Sequence, residues 1–504
     1  MLALQNQNIL VLGLGHSGMA MARWCARYGA NVLVSDTRDH PPQLKTLREE
    51  LPSVRVVSAD AVVSQGIVFD RILKSPGISP AESIGWLQGL EMEGTKIQGE
   101  LELFSEALHD LATSDAYQPK VIAITGTNGK TTVTALTGQL LQRAGKRIGV
   151  AGNIGPTLLD TLTLHMSQGD LPEVWVLELS SFQLEAAQAF EPTVATVLNV
   201  SQDHLDWHGS MQSYVAAKAR IFGTKGLMVL NRDDPVVMAM LPALPASGKV
   251  KGRLQRNYLS FGEGMPQRPG DYGLEVSNGL TWLVRAMESD SVGRKRNDPL
   301  QEVNIQKLLP ADGLRIRGRH NAVNALAALA LAASCGGTLG PMLYGLREYA
   351  GEPHRVQSLG VIEGVEYFDD SKGTNVGATV AALNGLGVER RLVVILGGEG
   401  KGQDFAPLTA PLEKYARAIV LVGRDATQIA LVVAGSALNV AYADSIENAV
   451  VKAAQLAQEG DAVLLSPACA SLDMFKNYVH RAEVFAAAVS ELAAQAGQMT
   501  ELVP

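Results

Sequence analysis

Val121-Ile122-Ala123-Ile124-Thr125-Gly126-Thr127-Asn128-Gly129-Lys130-Thr131-Thr132, residues 121–132, is the stretch on which the fold turns. Its apolar start reads as a buried strand. Beyond it, Val133, Leu136, Leu140 and Leu141 are spaced to form one face of a helix. Strand, glycine loop, Lys-Thr and helix make the geometry that binds a nucleoside triphosphate. Backbone N–H groups and the helix N-terminus meet the phosphates, Lys130 adds charge, and the Thr131 hydroxyl is suited to ligate magnesium. The loop is not a strict GxxxxGK[ST] motif: Ile124 stands where the first glycine belongs, and the glycine sits at 126.

The 504-residue chain is too long for one ordinary core, so two to four domains are expected. It is 46% hydrophobic and 19% charged, the balance of a globular enzyme. A net charge of −8 argues against wholesale nucleic-acid binding, which needs a basic face. Cys25, Cys335 and Cys469 lie far apart with no metal-ligand spacing, which suits a reducing cytosol. The N-terminus lacks the basic segment of a signal peptide, and no run of about 18 apolar residues exists to span a bilayer. A cytoplasmic chain with no membrane insertion is expected.

Outward from the phosphate loop, three α/β blocks are legible. The first runs from strand-like Asn8–Leu12 through Gly13-Leu14-Gly15-His16-Ser17-Gly18 to a second strand, Asn31–Ser35, and Asp36. Residues 108–120 are polar, contain Pro119 and read as a linker. The second block holds the phosphate loop and the apolar runs Val174–Leu177 and Val194–Leu198, typical of a parallel sheet. Residues 286–306 read as a charged, irregular loop around Arg294-Lys295-Arg296, and Asn321–Cys335 as a buried helix. The third block alternates strands (Arg391–Leu396, Ala418–Val422, Ala462–Leu465) with helices, again a doubly wound parallel pattern.

Gly13–Gly18 matches GxGxxG in the right context, with Asp36 placed to meet a ribose as in a nicotinamide enzyme. The physics requires less: glycines let any pyrophosphate approach a helix N-terminus, and a UDP group carries one. A ligand-free tight turn is the bland alternative. In an open parallel sheet, ligands sit at the carboxyl ends of the strands. Glu178 and Asp203-His204 stand at such ends and would face the phosphate loop, where a carboxylate and an imidazole suit magnesium. Alternatively, Glu178 caps a helix and His204 satisfies a loop. Lys218 would ordinarily be a surface lysine. In the third block, Asp369–Lys372, Gly397–Lys401 and Ser466–Ser471 each close a probable strand, so their lysines and hydroxyls gather at one sheet edge and could hold a carboxylate-bearing substrate.

GTNGKTT at 126–132, GNIG at 152–155, ELSSFQ at 178–183, DH at 203–204, AAK at 216–218, GxHN at 318–321, HR at 354–355, DDSKGTN at 369–375 and SPACASLDMFKN at 466–477 resemble, in order, the motifs of the Mur ligases of peptidoglycan synthesis. The DSKxTN and SPACASxD signatures are similar to those of the branch that adds D-glutamate to UDP-N-acetylmuramoyl-L-alanine. Folylpolyglutamate synthases share the middle and last domains but not the first block.

The resemblance implies an α/β fold of three domains: a Rossmann-like UDP-binding domain (1–112), a central P-loop ATPase-like domain with a parallel sheet (113–350) and a Rossmann-like amino-acid-binding domain (351–504). It implies ATP-driven amide formation through an acyl phosphate, with two Mg²⁺ sites that Mn²⁺ can also fill, and a monomer. Gly126, Thr127, Asn128, Gly129, Lys130, Thr131 and Thr132 would cradle ATP. Asn321 and Asn324 would contact adenine, Asp370 the ribose, and Arg355 the γ-phosphate. Thr131, Glu178, His204 and a carbamylated Lys218 would hold metal, and Lys130, Glu178, His204, Lys218 and Arg355 would form the catalytic set. His16 and Ser17 would meet the diphosphate through their backbone, and Asp36, Thr37 and Arg38 the uracil. Gly77, Asn153, Ser180 and Gln183 complete the UDP-sugar set, with Asn153 and His204 orienting the acyl phosphate. Lys372, Thr374, Lys401, Ser471, Leu472 and Tyr478 would form the D-glutamate pocket. Glu399 departs from the family, which often has Asp there, and the 286–306 segment carries no family motif.

Two other readings of the residues stay open at this point. A nicotinamide dehydrogenase would use only the first glycine loop. A non-catalytic nucleotide-gated binding protein would need only the second.

Overall fold

The computed structural model describes residues 4–58, 61–62, 67–79, 82, 87, 95–242, 256–289 and 303–498. Strands β1 (Asn8–Leu12), β2 (Asn31–Ser35), β3 (Arg55–Val57), β4 (Arg71–Lys74) and β5 (Lys96–Gln98) form a parallel sheet in the order β3-β2-β1-β4-β5. The chain reverses its direction of winding between β1 and β4, which opens a crevice at the carboxyl end of β1.

A second parallel sheet holds β6 (Lys120–Thr125), β7 (Ile148–Gly152), β8 (Val174–Glu178), β9 (Val194–Val197), β10 (Leu227–Asn231) and β11 (Tyr258–Phe261), ordered β11-β10-β9-β6-β8-β7. The strand at 121–124 is therefore central, and the phosphate loop leaves it at a winding reversal. Val133, Leu136, Leu140 and Leu141 of the Lys130–Arg143 helix are all fully buried, as their spacing predicts. They pack with the Ala/Leu-rich Arg319–Ser334 helix against one face of the sheet.

The other face shares its core with the first sheet through the Glu100–Ser114 helix, where Phe104 meets Trp175 edge-on at 5.1 Å between ring centroids. Residues 108–114, expected to be linker, belong to this helix. Their polar residues line its outer face, while Leu111 is buried.

Residues 286–306 bring a second correction. β12 (Tyr272–Ser277), β13 (Leu280–Glu288) and β14 (Val303–Pro310) form an antiparallel sheet, so both ends of that supposed loop are paired strand. Leu283, Val284, Ala286 and Leu309 are buried, but intermixed polar residues hide the alternation. Arg294-Lys295-Arg296 lies outside the described residues.

The fourth sheet, in the third domain, contains β15 (Gln357–Ile362), β16 (Val365–Asp369), β17 (Leu392–Gly397), β18 (Ala416–Val422), β19 (Asn439–Tyr442) and β20 (Ala462–Leu465). Its order is β15-β16-β20-β17-β18-β19, parallel apart from the β15–β16 hairpin. β16, β20 and β17 are neighbours, which brings the three sequence-selected loops to one edge. The architecture is three α/β domains, as expected. Among the described residues, no helix is long and apolar enough to cross a membrane.

Candidate active site

The first crevice is a cavity of about 410 Å³ lined by Gly13, Gly15, His16, Ser17, Asp36, Thr37, Arg38 and residues 75–78. A Cβ on Gly18 would lie 1.9 Å from the Gly13 carbonyl oxygen, so glycine is the residue that lets the helix start this close to the turn. The His16–Arg27 helix has no side-chain cap, leaving its first N–H groups for a ligand. Asp36 accepts from the Leu14 amide at 2.7 Å and from Arg38 at 2.8 and 2.7 Å. Burial opposes its charge, yet Arg38 and the two backbone amides hold the carboxyl below its ordinary value. This pair fixes the loop 36–38 against the crevice.

The second cavity, also about 410 Å³, lies between the central and third domains. Lys130, Thr131, Asn153, Glu178 and His204 line it from one side, Arg355, Lys372, Thr374 and Lys401 from the other. Gly129 has φ +82° and begins the helix, so the loop turns where glycine is favoured. The Lys130 ammonium donates to the Gly126 and Thr127 carbonyls at 2.9 and 2.8 Å, spanning its own loop. Burial lowers its pKa, Glu178 raises it and Arg355 lowers it again. Arg355 donates to the Thr131 hydroxyl, tying the start of the third domain to the phosphate loop.

Glu178 ends β8 at 1% exposure. One carboxylate oxygen accepts from the Asn153 amide at 3.0 Å; the other is buried and has no hydrogen-bond partner. It caps no helix, since Ser180 fills that role. Ser180 and Gln183 bond each other in a capping box and line neither cavity. His204 has φ +53° and packs against Phe182. Burial lowers its pKa, with Asp203 opposing and Lys130 and Lys218 assisting, which favours a neutral, lone-pair-bearing ring.

Lys218 is no surface lysine. At 1% exposure it donates to the Gly126 carbonyl at 2.8 Å from directly behind the phosphate loop. Burial and then Lys130 push its pKa well down, so the amine is disposed to be neutral. An uncharged lysine amine is the form that combines with CO₂.

A narrower cleft of about 100 Å³ adjoins this cavity, lined by Asn128, Gly129, Thr132, His320, Asn321, Asn324, Arg355, Asp370 and Ala378. Asn324 bonds Asn321 at 3.1 Å, and a Cβ on Gly129 would come within 2.9 Å of its side-chain oxygen. Asp370 is buried, which raises its carboxyl to about 7, and it accepts from Ser466 at 2.7 Å.

The third-domain residues divide. Lys372 lines both cavities, its ammonium 3.7 Å from the centre of the Tyr478 ring, and burial then Arg355 lower it to about 8. Ser471 is buried and Leu472 is 61% exposed; neither these nor Tyr478 lines the cavity directly. The Glu399 carboxylate turns away to Arg424 at 3.0 Å.

Sequence reasoning passed over several supports. Asn199 exchanges bonds with Asn128 backbone groups at 2.9 and 3.1 Å. Arg481, buried in a helix, donates to Ser371 at 3.0 and 2.8 Å and to the Cys469 carbonyl at 3.2 Å. It joins two of the third-domain loops. An arginine within a helix carries no signal in the sequence that it does so.

Three family models cover most of the chain: "Mur ligase MurD-like, N-terminal domain" at 7–99, "Mur ligase middle domain" at 124–255 and "Mur ligase, glutamate ligase domain" at 354–469. The UDP-N-acetylmuramoylalanine--D-glutamate ligase of Albidiferax ferrireducens is 60% identical over 501 residues, covering 99% of both chains. The chain belongs to the Mur ligase family. Another Mur ligase of the same name, from Burkholderia multivorans, is 52% identical over 506 residues, covering 98% of both chains. Among solved Mur ligase structures, MurF of Thermotoga maritima in complex with ADP aligns at a TM-score of 0.57. That match has 17% identity and covers 97% of this chain and 96% of that one, a likeness of fold.

No three His, Cys, Asp or Glu side chains converge as a metal cage among the described residues. The donors present are of another kind. The unpartnered Glu178 oxygen, the Thr131 hydroxyl and the His204 ring all line the one cavity, an incomplete set that suits a hard divalent cation sharing its remaining positions with phosphate oxygens and water.

Proposed function

We propose that this Mur ligase joins D-glutamate to UDP-N-acetylmuramoyl-L-alanine at the expense of ATP. The observation that carries the reading is the second cavity, in which the phosphate loop of one domain faces the lysines and Thr374 of another. The D-glutamate-ligase relatives, alike over nearly the whole chain, support the choice of amino acid.

ATP lies with its phosphates on residues 126–132, adenine against Asn321 and Asn324, and ribose at Asp370. The UDP group occupies the first crevice, with diphosphate on the backbone at His16 and Ser17, uracil at 36–38, and Gly77 closing the far side. Ser180 and Gln183 act on the sugar nucleotide at most by shaping the segment after Glu178. The other end of the sugar nucleotide then reaches the second cavity, which Asn153 lines.

The terminal carboxylate attacks the γ-phosphorus, the bond to the β,γ-bridging oxygen breaks, and ADP leaves with that electron pair. Lys130 and Arg355 neutralise the charge gathering on the phosphoryl oxygens, while Asn153 and His204 orient the acyl phosphate. The D-glutamate amine then attacks the carbonyl carbon, the C–O bond to phosphate breaks, and a proton is lost from nitrogen. Lys372, Thr374 and Lys401 hold the D-glutamate carboxylates, with Tyr478 buttressing Lys372 and Ser471 and Leu472 lying behind. Glu178, His204, Thr131 and carbamylated Lys218 are suited to hold two Mg²⁺ ions, or Mn²⁺. The metal supplies charge neutralisation between two anions that must meet.

The domain boundaries proposed are 112/113 and 350/351, and the enzyme acts as a cytoplasmic monomer. The test is phosphate release from Mg-ATP and UDP-N-acetylmuramoyl-L-alanine with D-glutamate, L-glutamate, L-alanine or a diamino acid. Release confined to D-glutamate, with a product of matching mass, is expected. Release with another amino acid would keep the chemistry and overturn the assigned pocket.

A further inference from the structure

Glu100 begins the Glu100–Ser114 helix and is buried where the first and central domains meet. Its carboxylate accepts from the Leu159 amide at 3.0 Å, and the nearby Leu158 amide and Ser17 hydroxyl favour its charged form. The Leu158–Gln168 helix has no cap from its own Thr157, so a carboxylate from another domain takes that place at its positive end. Arg23 spans the same boundary to Asp160 at 3.0 Å.

From that helix start the contacts continue inward. The Gly152 amide donates to the Pro156 carbonyl at 2.9 Å, and the Asn153 amide to the Glu178 carbonyl at 2.8 Å. The Asn153 side chain then meets the Glu178 carboxylate. The diphosphate turn at Ser17 thus lies beside Glu100, and from Glu100 the contacts lead through the Leu159 amide and the 152–159 segment to the Asn153–Glu178 pair.

We propose that Glu100 is a positioning residue through which filling of the first crevice sets the Asn153–Glu178 geometry, so that UDP-substrate and ATP strengthen each other's binding. The proposal rests on the assignment of the first crevice to the UDP group. Burial raises the Glu100 carboxyl to about 7, with the amides and Ser17 opposing and Asp160 assisting. A carboxylate kept here against that burial is held by the Leu159 amide, with the Leu158 amide and the Ser17 hydroxyl favouring its charge, and all three groups belong to other elements of the path. Coupling between sites is reciprocal, so either ligand reports it.

Glu102, two residues on and on the opposite side of the same helix, is the internal comparison. It is also buried, but it accepts the Gln188 and Ala189 amides at 3.0 and 3.3 Å, away from the 152–159 segment. A purely structural carboxylate at this boundary would behave like it.

The experiment is calorimetric binding of a non-hydrolysable ATP analogue to the full chain with Mg²⁺, without and with saturating UDP-N-acetylmuramoyl-L-alanine. The wild-type Kd should fall by about fivefold or more on adding the sugar nucleotide. In Glu100→Gln the ratio should approach one, while Glu102→Gln keeps the wild-type ratio. Ser17→Ala removes only the hydroxyl and should lose the ratio as well; it carries the test if Glu100→Gln does not fold. A wild-type ratio of one, a retained ratio in Ser17→Ala, or equal loss in Glu102→Gln overturns the proposal. Arg38→Ala separates the two readings. An unchanged Kd for the sugar nucleotide would overturn the crevice assignment and the relay with it. A raised Kd beside a retained ratio in Glu100→Gln overturns the relay alone.

Discussion

Asn375 and Asn128 exchange side-chain amide bonds at 3.3 and 3.1 Å, joining the third domain to the phosphate loop. Asn375 also caps the Val376–Leu386 helix, accepting the Ala378 amide at 2.9 Å, and reaches Asp203 at 3.3 Å. One side chain thus fixes a helix start, a domain contact and the approach to His204. With the ligands placed across three domains as proposed, the domains are expected to close together, and this amide pair would act as a latch for that closure.

Asn375→Ala should therefore cost about 1 kcal/mol of stability through the cap alone. Its larger effect should be on closure. Small-angle scattering should show compaction of the wild type with an ATP analogue plus UDP-N-acetylmuramoyl-L-alanine, and less in the variant. Equal compaction in both would remove the latch, and none in the wild type would remove closure itself.

Lys218 is expected to need CO₂. Its buried amine is disposed to be neutral and sits behind the phosphate loop, 4.6 Å from the centre of the Tyr214 ring. Phosphate release should fall in CO₂-depleted buffer and recover with bicarbonate. Lys218→Met should lose activity by about 10–100-fold, the range for disturbing groups that support a metal, and should ignore bicarbonate. A wild type indifferent to bicarbonate would argue for a plain amine.

His320 should stay neutral well below the usual range. The residue is half-buried, its Nδ1 is inaccessible and has no hydrogen-bond partner, and burial lowers it to about 4. The unfolded chain binds the proton first as pH falls from about 6.5 to 4, so this group withdraws stability across that window. The full shift corresponds to roughly 3 kcal/mol. Glu100 and Asp370, both raised to about 7, act with the opposite sign as pH falls. Melting temperature therefore mixes the three, and the imidazole resonance in NMR is the direct readout. Titration of that resonance near pH 6.5 would contradict the burial argument.

Sequence legibility followed the physics of each element. Runs such as Val174–Leu177 and Ala462–Leu465 are apolar on both faces because parallel strands are covered on both sides, and they stood out. The antiparallel strands β13 and β14 cover one face only, and Arg285, Gln306 and Lys307 broke the pattern. The phosphate loop was readable since its chemistry is local. Lys218 was not, because its burial depends on Thr125 and Gly126, far away in sequence. Glu178 gave its position as a strand end, but the solitary oxygen that suits a cation became visible only with Asn153 in place.

Arg481 offers a sharper test of how the third-domain pocket is held. Its side chain is buried, and burial lowers it to about 10, yet it satisfies the Ser371 carbonyl and hydroxyl and the Cys469 carbonyl together. These atoms flank Lys372 on one side and the Ser466–Ser471 loop on the other. Arg481→Met keeps the packing length but takes the guanidinium donors from the Ser371 and Cys469 carbonyls, while the Ser371 hydroxyl keeps its bond to the Tyr478 carbonyl, at about 1–3 kcal/mol for each buried group left unsatisfied. The expected outcome is a lower melting temperature together with a raised KM for D-glutamate. KM for UDP-N-acetylmuramoyl-L-alanine should not move, because the first crevice lies in another domain. A rise in both KM values would mean that Arg481 supports the whole closed form. A drop in stability with D-glutamate KM unchanged would place the amino acid away from the Asp369–Lys372 and Ser466–Ser471 loops.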